Sequence, residues 1–272
     1  MTDRYAVIGN PIAHSQSPRI HAAFAAQTGQ DLVYERLLGP EGRFVETVEV
    51  FRADGGRGLN VTLPFKLDAF AYAQEHSARA RAAGAVNTLK FDGDRVYGDN
   101  TDGVGLTRDL EANLGVTLNG RRILVLGAGG ATQGVLLPLL ERHPAALVIA
   151  NRTVEKAERL ARDFGRHGPA AASSFEGLAG GRFDVVIDAT SAAVGGEGVA
   201  LPADLYAEGA IAYEMMYGKG ETAFARHARA CGVTRVADGL GMLVEQAAES
   251  FLLWRGVRPE TAAVLTALRA GL

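Results

Sequence analysis

The stretch RRILVLGAGGATQGVLLPLLERH (121–143) decides the architecture. It opens as a short aliphatic run, passes through a cluster of small residues and closes as an apolar helix pattern. A strand, a glycine turn and a helix in that order read as the start of a parallel βαβ unit that holds a dinucleotide. Gly127 and Gly129 permit a tight turn and close approach of backbone to a pyrophosphate, which then sits on the helix N-terminus. Gly130 and Ala131 keep the loop small. The third fingerprint position, normally Gly or Ala, is Thr132, and Pro138 falls inside the helix pattern, where it can kink the helix. A tight βα turn without a ligand is the plain alternative.

The next strand end bears on the choice of cofactor. In NAD-binding folds an Asp or Glu about 20 residues on holds the ribose hydroxyls, whereas an Arg accommodates a 2′-phosphate. LVIANRTVEKAERLA (147–161) brings Asn151, Arg152 and Thr153 to that place with no acid among them, and Lys156 adds a second cation one turn later. Arg152 suits charge-assisted bonds to phosphate, so the pattern favours NADP over NAD. Simple helix capping by Asn151 and Thr153, with Arg152 in water, is the other reading.

Further out, ALVIAN, FDVVIDAT, AIAYEMM and VTRVADG continue a series of β-rich runs, most separated by helix-like segments. An earlier series, YAVIG, DLVYERLL and GLNVTL, alternates with helical stretches at 18–28 and 41–53. NTLKFDGDRVYGDN then reads as a hairpin around Asp92-Gly93, and TDGVGLTRDLEANLG as a helix ending at Gly115. Such alternation argues for α/β units with parallel sheets covered on both faces. The expectation is two α/β domains with a cleft between them, the second a Rossmann-type NADP-binding domain. The chain of 272 residues, 47% apolar and 22% charged, can bury a proper core. A net charge of −3 with scattered Lys and Arg lacks a nucleic-acid-binding footprint, and no apolar run reaches membrane-spanning length. Cys231 is the single cysteine and the N-terminus has no secretory h-region, so a reducing, cytoplasmic setting is expected. The six histidines do not complete a metal set.

A nicotinamide cofactor leaves the protein one proton to manage. Lys66, in GLNVTLPFK, falls in the first turn of a helix, the end that disfavours a cation. Either it snorkels into water or its proton is used. Asp102, in YGDNTDG, could pair with it, or could be a helix cap. Ser15 and Ser17 lie two apart before a helix, with Pro18 at its first position and Ser17 as cap; together they make a small carboxylate site or a simple cap. His14 reads as structural. Asn60, Thr62, Asn87, Tyr217 and Gln246 can bond substrate hydroxyls or tie down local structure.

Taken together, GNPIAHSQSP, NVTLPFK, AGAVNTL, GDNTDG, GAGGA, NRT, MMYGKGET and DGLGMLVEQAA, in family order along nearly the whole chain, resemble the shikimate dehydrogenase family. The resemblance implies reversible reduction of 3-dehydroshikimate to shikimate with NADPH, in aromatic amino acid (chorismate) biosynthesis. It implies that Ser15 and Ser17 bind the substrate carboxylate, that Thr62, Asn87 and Asp102 bind ring hydroxyls, that Lys66 beside Asp102 handles the proton, and that Tyr217 and Gln246 close the site. Gly127, Ala128, Gly129, Gly130 and Ala131 would hold pyrophosphate; Asn151, Arg152, Thr153 and Lys156 the adenosine phosphate end; Met215 and Gly239 would line the nicotinamide. It also implies a discontinuous substrate domain, 1–103 and 240–272, around an NADP-binding domain, 104–239, in a monomer or homodimer. Three positions depart from the family pattern: Ala22 and Asp188 where Asn is usual, and Glu214 where Asp is usual. A quinate/shikimate dehydrogenase with NAD use and a non-catalytic NADP-binding regulator are the rival readings.

Overall fold

The computed structural model describes residues 2–190, 200–218 and 220–271. The chain divides into two compact units, Met1–Gly105 with Leu243–Gly271, and Leu106–Met242. The first is built on a six-stranded sheet. Its elements in chain order are β1 (Asp3–Gly9), α1 (Ser17–Thr28), β2 (Leu32–Leu38), α2 (Phe44–Ala53), β3 (Gly56–Val61), α3 (Lys66–Tyr72), β4 (Glu75–His76), α4 (Ala78–Ala83), β5 (Thr88–Asp92) and β6 (Arg95–Asp99). The sheet order is β2-β1-β3-β5-β6-β4. β1 pairs in parallel with β2 and β3, whereas β3, β5 and β6 pair antiparallel. The expected hairpin is β5–β6: Asp92 opposes Arg95, and Gly93 takes the positive φ of 57° that so short a loop requires. Ile8, Leu59 and Val61 from the strands pack on Phe44, Val48 and Phe51 of α2, and on Phe65 just before α3.

The chain leaves this unit through α5 (Asp102–Arg108), which continues as one π-helical stretch, Asp109–Asn113. In the second unit come β7 (Arg122–Leu126), α6 (Gly130–Leu140), β8 (Ala146–Ala150), α7 (Val154–Phe164), β9 (Ala170–Ser173), β10 (Phe183–Asp188), β11 (Tyr206–Glu214), α8 (Ala223–Ala230) and β12 (Arg235–Asp238). All the pairings are parallel, in the order β12-β11-β10-β7-β8-β9. This is the doubly wound arrangement, with its reversal of strand order between β7 and β10. Ile123, Leu124, Val125 and Leu126 of β7 are all fully buried, as a central parallel strand covered on both faces must be. β9 was not apparent in the sequence, because its AAAS has little strand propensity and is recruited by pairing to β8.

The last helices, α9 (Leu240–Arg255) and α10 (Ala262–Arg269), carry the chain back into the first unit. Gln246, Ser250 and Trp254 recur every four residues and so share one face of α9, which lies on β3 and β5. Trp254 Nε1 donates to Leu89 O (2.9 Å), and its ring stacks on Tyr5 at 4.7 Å. Gly58 lies under it: a Cβ there would sit 2.6 Å from Trp254 Nε1 and 2.7 Å from Leu89 O. Gly58→Ala is expected to cost about 1–3 kcal/mol in a urea titration. The emission of Trp254, the sole tryptophan, should shift to longer wavelength; unchanged stability and emission would show that α9 is not seated through this contact.

Candidate active site and nucleotide site

In the first unit, β3 ends at Val61 and the chain turns through Thr62–Phe65, with Phe65 N donating to Thr62 O (3.0 Å). Phe65 is 2% exposed and packs on Phe44, which anchors the start of α3 and sets Lys66 in its first turn. Val86 N donates to Lys66 O (3.0 Å), tying that turn to the segment before β5. Asp102 opens α5 just beyond β6, where Asn100 Oδ1 accepts its N–H (3.2 Å). These two anchored starts bring Lys66 Nζ to 2.5 Å from Asp102 Oδ2. The pair is partly buried, the side chains 27% and 15% exposed, so solvent screens it less than a surface pair.

Asn87 and Gln246 join this cluster. Asn87 Nδ2 donates to Asp102 Oδ1 (2.8 Å) and Thr101 Oγ1 (3.0 Å), and lies 3.3 Å from Gln246 Oε1. Behind them Thr88, Thr101 and Ser250, each fully buried, share hydrogen bonds with Asn87 and Asn60. Sequence reasoning missed Thr88, Thr101 and Ser250. The available signal for Ser250 was its position one helical turn after Gln246; for the threonines it was their adjacency to Asn87 and Asp102.

Ser15 and Ser17 meet each other, Ser15 Oγ donating to Ser17 Oγ (3.2 Å), but have no hydrogen bond to the Lys66 cluster. The capping expectation is corrected here. Ser17 is already in α1, Gln16 is the N-cap, and it is Ser15 Oγ that accepts Ser17 N–H (3.3 Å). Arg36 of β2, also unanticipated, donates to Ser15 O from Nε and Nη2 (3.1 and 2.7 Å), placing a cation beside the serine loop. Thr62 is half-buried, and its side chain makes no hydrogen bond with a described residue. His14 and Ala22 are exposed. His21 is buried against Tyr34, rings 4.1 Å apart, and burial lowers its pKa to about 3, so it packs as a neutral ring.

In the second unit the glycine turn lies at the strand-order reversal. Gly127 has φ 99°, and a Cβ on it would stand 3.2 Å from Ala189 O, the residue after β10. Gly129 and Gly130 have open space where a side chain would be, so backbone N–H groups at the start of α6 are accessible to a phosphate. Thr132 braces this turn, its buried hydroxyl donating to Gly127 O (2.9 Å), which accounts for a Thr at the third fingerprint position. At the end of β8, Thr153 is the N-cap of α7 but makes no side-chain cap bond, and Asn151 Nδ2 donates to Thr153 O (2.9 Å). Arg152 and Lys156 are exposed and have no ion-pair partner among the described residues, a donor set that fits a phosphate. Met215 and Gly239 adjoin: a Cβ on Gly239 would fall 2.1 Å from Met215 O. Tyr217 follows β11 in this unit and is half-buried. Among the described residues no cluster of His, Cys, Asp or Glu is placed to hold a metal ion, and no helix is long and apolar enough to cross a membrane.

Asp188 and Glu214 end β10 and β11 and are register partners, so their carboxyls lie on one face of adjacent strands. Burial raises the pKa of Asp188; burial and then the Asp188 charge push Glu214 up to about 7.

A parallel sheet with a glycine turn at its reversal point, in a chain whose other unit holds a partly buried Lys–Asp pair, is the arrangement of a nucleotide-dependent oxidoreductase. Family models match residues 7–89 (shikimate dehydrogenase substrate binding domain), 109–194 (shikimate / quinate 5-dehydrogenase) and 239–269 (shikimate 5′-dehydrogenase C-terminal domain). A shikimate dehydrogenase (NADP(+)) of Aromatoleum aromaticum is 62% identical, with 99% of this chain and 98% of the relative covered. The crystal structure of an Ael1 enzyme from Pseudomonas putida is 52% identical with a TM-score of 0.95, covering 98% of each chain. The Thermus thermophilus shikimate 5-dehydrogenase, solved with NADP(H) and shikimate, is 34% identical with a TM-score of 0.88 over 100% of both chains. The chain belongs to the shikimate dehydrogenase family.

The raised pKa of Glu214 has a consequence for stability. Its folded value of about 7 exceeds the ordinary 4.5, so the folded protein keeps a proton that the unfolded chain releases. That stabilisation is full below about pH 4.5 and is lost as the pH rises through about 7. Glu214→Gln should remove this term, so that the Tm gap between variant and wild type grows in the variant's favour from pH 5 to pH 8. A gap independent of pH would show that Glu214 ionises normally.

Proposed function

We propose that Lys66 and Asp102 manage the proton in an NADP-dependent shikimate dehydrogenase. The enzyme catalyses reversible reduction of 3-dehydroshikimate to shikimate, a step of aromatic amino acid (chorismate) biosynthesis, with NADP as cofactor. The observation that carries the catalytic assignment is the 2.5 Å contact of Lys66 Nζ with Asp102 Oδ2. Bound NADPH supplies hydride to the substrate's carbonyl carbon. Lys66 donates a proton to the carbonyl oxygen as that oxygen gains charge, directly or through Asp102, and the proton returns in the reverse direction. Asp102 holds the ammonium and keeps lone pairs free to accept from a ring hydroxyl.

On this reading the discontinuous unit takes the substrate and the parallel-sheet unit the cofactor. Thr62, Asn87 and Gln246 hold ring hydroxyls, Ser15 and Ser17 the carboxylate, and Tyr217 closes the site; the adjacent serine hydroxyls, with Arg36 behind them, support the carboxylate assignment. Gly127–Ala131 take the pyrophosphate, Asn151, Arg152, Thr153 and Lys156 the 2′-phosphate end, and Met215 and Gly239 the nicotinamide. Supporting this are the open glycine turn and the two cations with no ion-pair partner among the described residues. The same reading puts the enzyme in the cytoplasm, as a monomer or homodimer.

Lys66→Ala should lower kcat by about 10²–10⁴-fold while changing shikimate affinity far less; equal losses in both would leave Lys66 a positioning role only. Arg152→Ala should raise KM for NADP and spare NAD. Unchanged NADP use would refute the 2′-phosphate assignment, and assays with quinate and shikimate against both cofactors separate this reading from a quinate-using relative.

A further inference from the structure

Asp188 and Glu214 form a buried acid pair for which the proton chemistry of Lys66 has no use. They are 4% and 3% exposed and stand at the carboxyl ends of neighbouring parallel strands, whose backbones are about 4.8 Å apart. Each carboxyl spends one oxygen on the chain that leaves its own strand. Thr190 N–H donates to Asp188 Oδ1 (2.9 Å) and Met216 N–H to Glu214 Oε1 (3.1 Å). Glu214 Oε2 is buried with no hydrogen-bond partner within bonding distance among the described residues. A buried carboxylate oxygen without a donor is costly, whereas a carboxylic O–H there relieves both the charge and the repulsion from Asp188.

Neither carboxyl forms an ion pair with a described residue. The groups facing the pair are Thr190 after β10, Thr222 at the N-cap of α8, Tyr206 of β11, whose hydroxyl feels the Asp188 charge, and Asp238, the register partner of Glu214 on β12. Met215, proposed to line the nicotinamide, follows Glu214 directly and donates its N–H to Asp188 O (2.9 Å). The pair therefore adjoins the segment on which the redox-active ring is proposed to lie.

Hydride loss changes the charge of that ring: it is neutral in NADPH and cationic in NADP+. A nearby acid pair that can carry one or two negative charges must bind the two forms differently. We infer that Asp188 and Glu214 discriminate between the oxidised and reduced cofactor. Glu214 keeps its proton when NADPH is bound and releases it to solvent when NADP+ is bound. The inference rests on the cofactor reading given above. By linkage the preference for NADP+ over NADPH strengthens as the pH rises, because the dianionic pair attracts the cationic ring.

The test is binding, with no turnover. Dissociation constants of NADPH, from its fluorescence, and of NADP+, from calorimetry, are measured between pH 5.5 and 8.5. Titration of the 2′-phosphate affects both nucleotides alike and cancels in their ratio. In the wild type, Kd(NADPH)/Kd(NADP+) should rise with pH through about 7, by about tenfold, the scale of one charge pair some 10 Å apart at an effective protein dielectric. In Glu214→Gln the rise should vanish. Asp188→Asn, which removes the repelling charge, should move its midpoint to lower pH, and serves if the first variant does not fold. Calorimetry at pH 7 in buffers of different ionisation enthalpy should show more proton release on binding NADP+ than NADPH. A ratio that is flat in the wild type, or that rises equally in Glu214→Gln, overturns the inference. Failure of both nucleotides to bind overturns the cofactor reading itself, and the inference with it.

Discussion

The side-chain amide of Asn87 has one orientation open to it, and the site around Lys66 depends on that choice. The backbone N–H of Thr101 can only donate, so it must meet Asn87 Oδ1 (2.8 Å). Nδ2 is thereby turned toward Asp102 Oδ1 (2.8 Å). Reversed, the amide would set oxygen against carboxylate and nitrogen against N–H, each mismatch costing about 1–3 kcal/mol when buried. The hydroxyls of Thr88, Thr101 and Ser250 adapt to this fixed point, since each can rotate its proton toward whichever neighbour accepts. A buried network in which every member is satisfied rigidifies the site.

The same logic explains how a lysine is tolerated at the unfavourable end of a helix. Its ammonium is neutralised at short range by Asp102, and Asp102 is held by the amide of Asn87 and by the end of β6. That strand end is fixed in turn by a chain of alternating charges. Arg79 grips Asp99 with two hydrogen bonds (2.7 and 2.6 Å) and reaches Glu249 of α9; Arg258 then joins Glu249 to Glu245. Bidentate, partly buried pairs of this kind restrict geometry more than isolated surface pairs do. The returning helix α9 thus supports the Lys–Asp pair from two faces, by ion pairs on one and by Gln246 and Ser250 on the other.

Parallel pairing governs the second unit. Every strand delivers its carboxyl end to the same edge, so the glycine turn after β7, the chain after β10 and the acids ending β10 and β11 come to one place. This gathers the phosphate-accessible N–H groups of α6. It also sets Asp188 against Glu214, a contact that no local sequence preference would choose. Burial and mutual repulsion then make the proton on Glu214 exchangeable near neutrality.

Much of this was legible in the residues alone. The alternation of strand and helix patterns, the glycine turn at 127–131, the absence of an acid after β8 and the ordered family motifs pointed to the doubly wound unit, to NADP and to Lys66 and Asp102. Strand β9, the N-cap of α1 and the roles of Arg36, Thr88, Thr101 and Ser250 were not legible. Strand β9 depends on β8, Arg36 on the serine loop, and Thr88, Thr101 and Ser250 on one another across distant parts of the chain. Periodicity, turn chemistry and capping act over a few residues and can be read from order. Lys66 and Asp102 are 36 positions apart and Asn60 and Ser250 are 190 apart, and packing of the elements between them decides whether they touch. The sequence by itself determined which residues could do the chemistry and where the helices and strands would form. Only the tertiary structure decided which of those side chains share a hydrogen bond and which carboxyl holds its proton toward neutrality, because proximity and burial are properties of the packed chain.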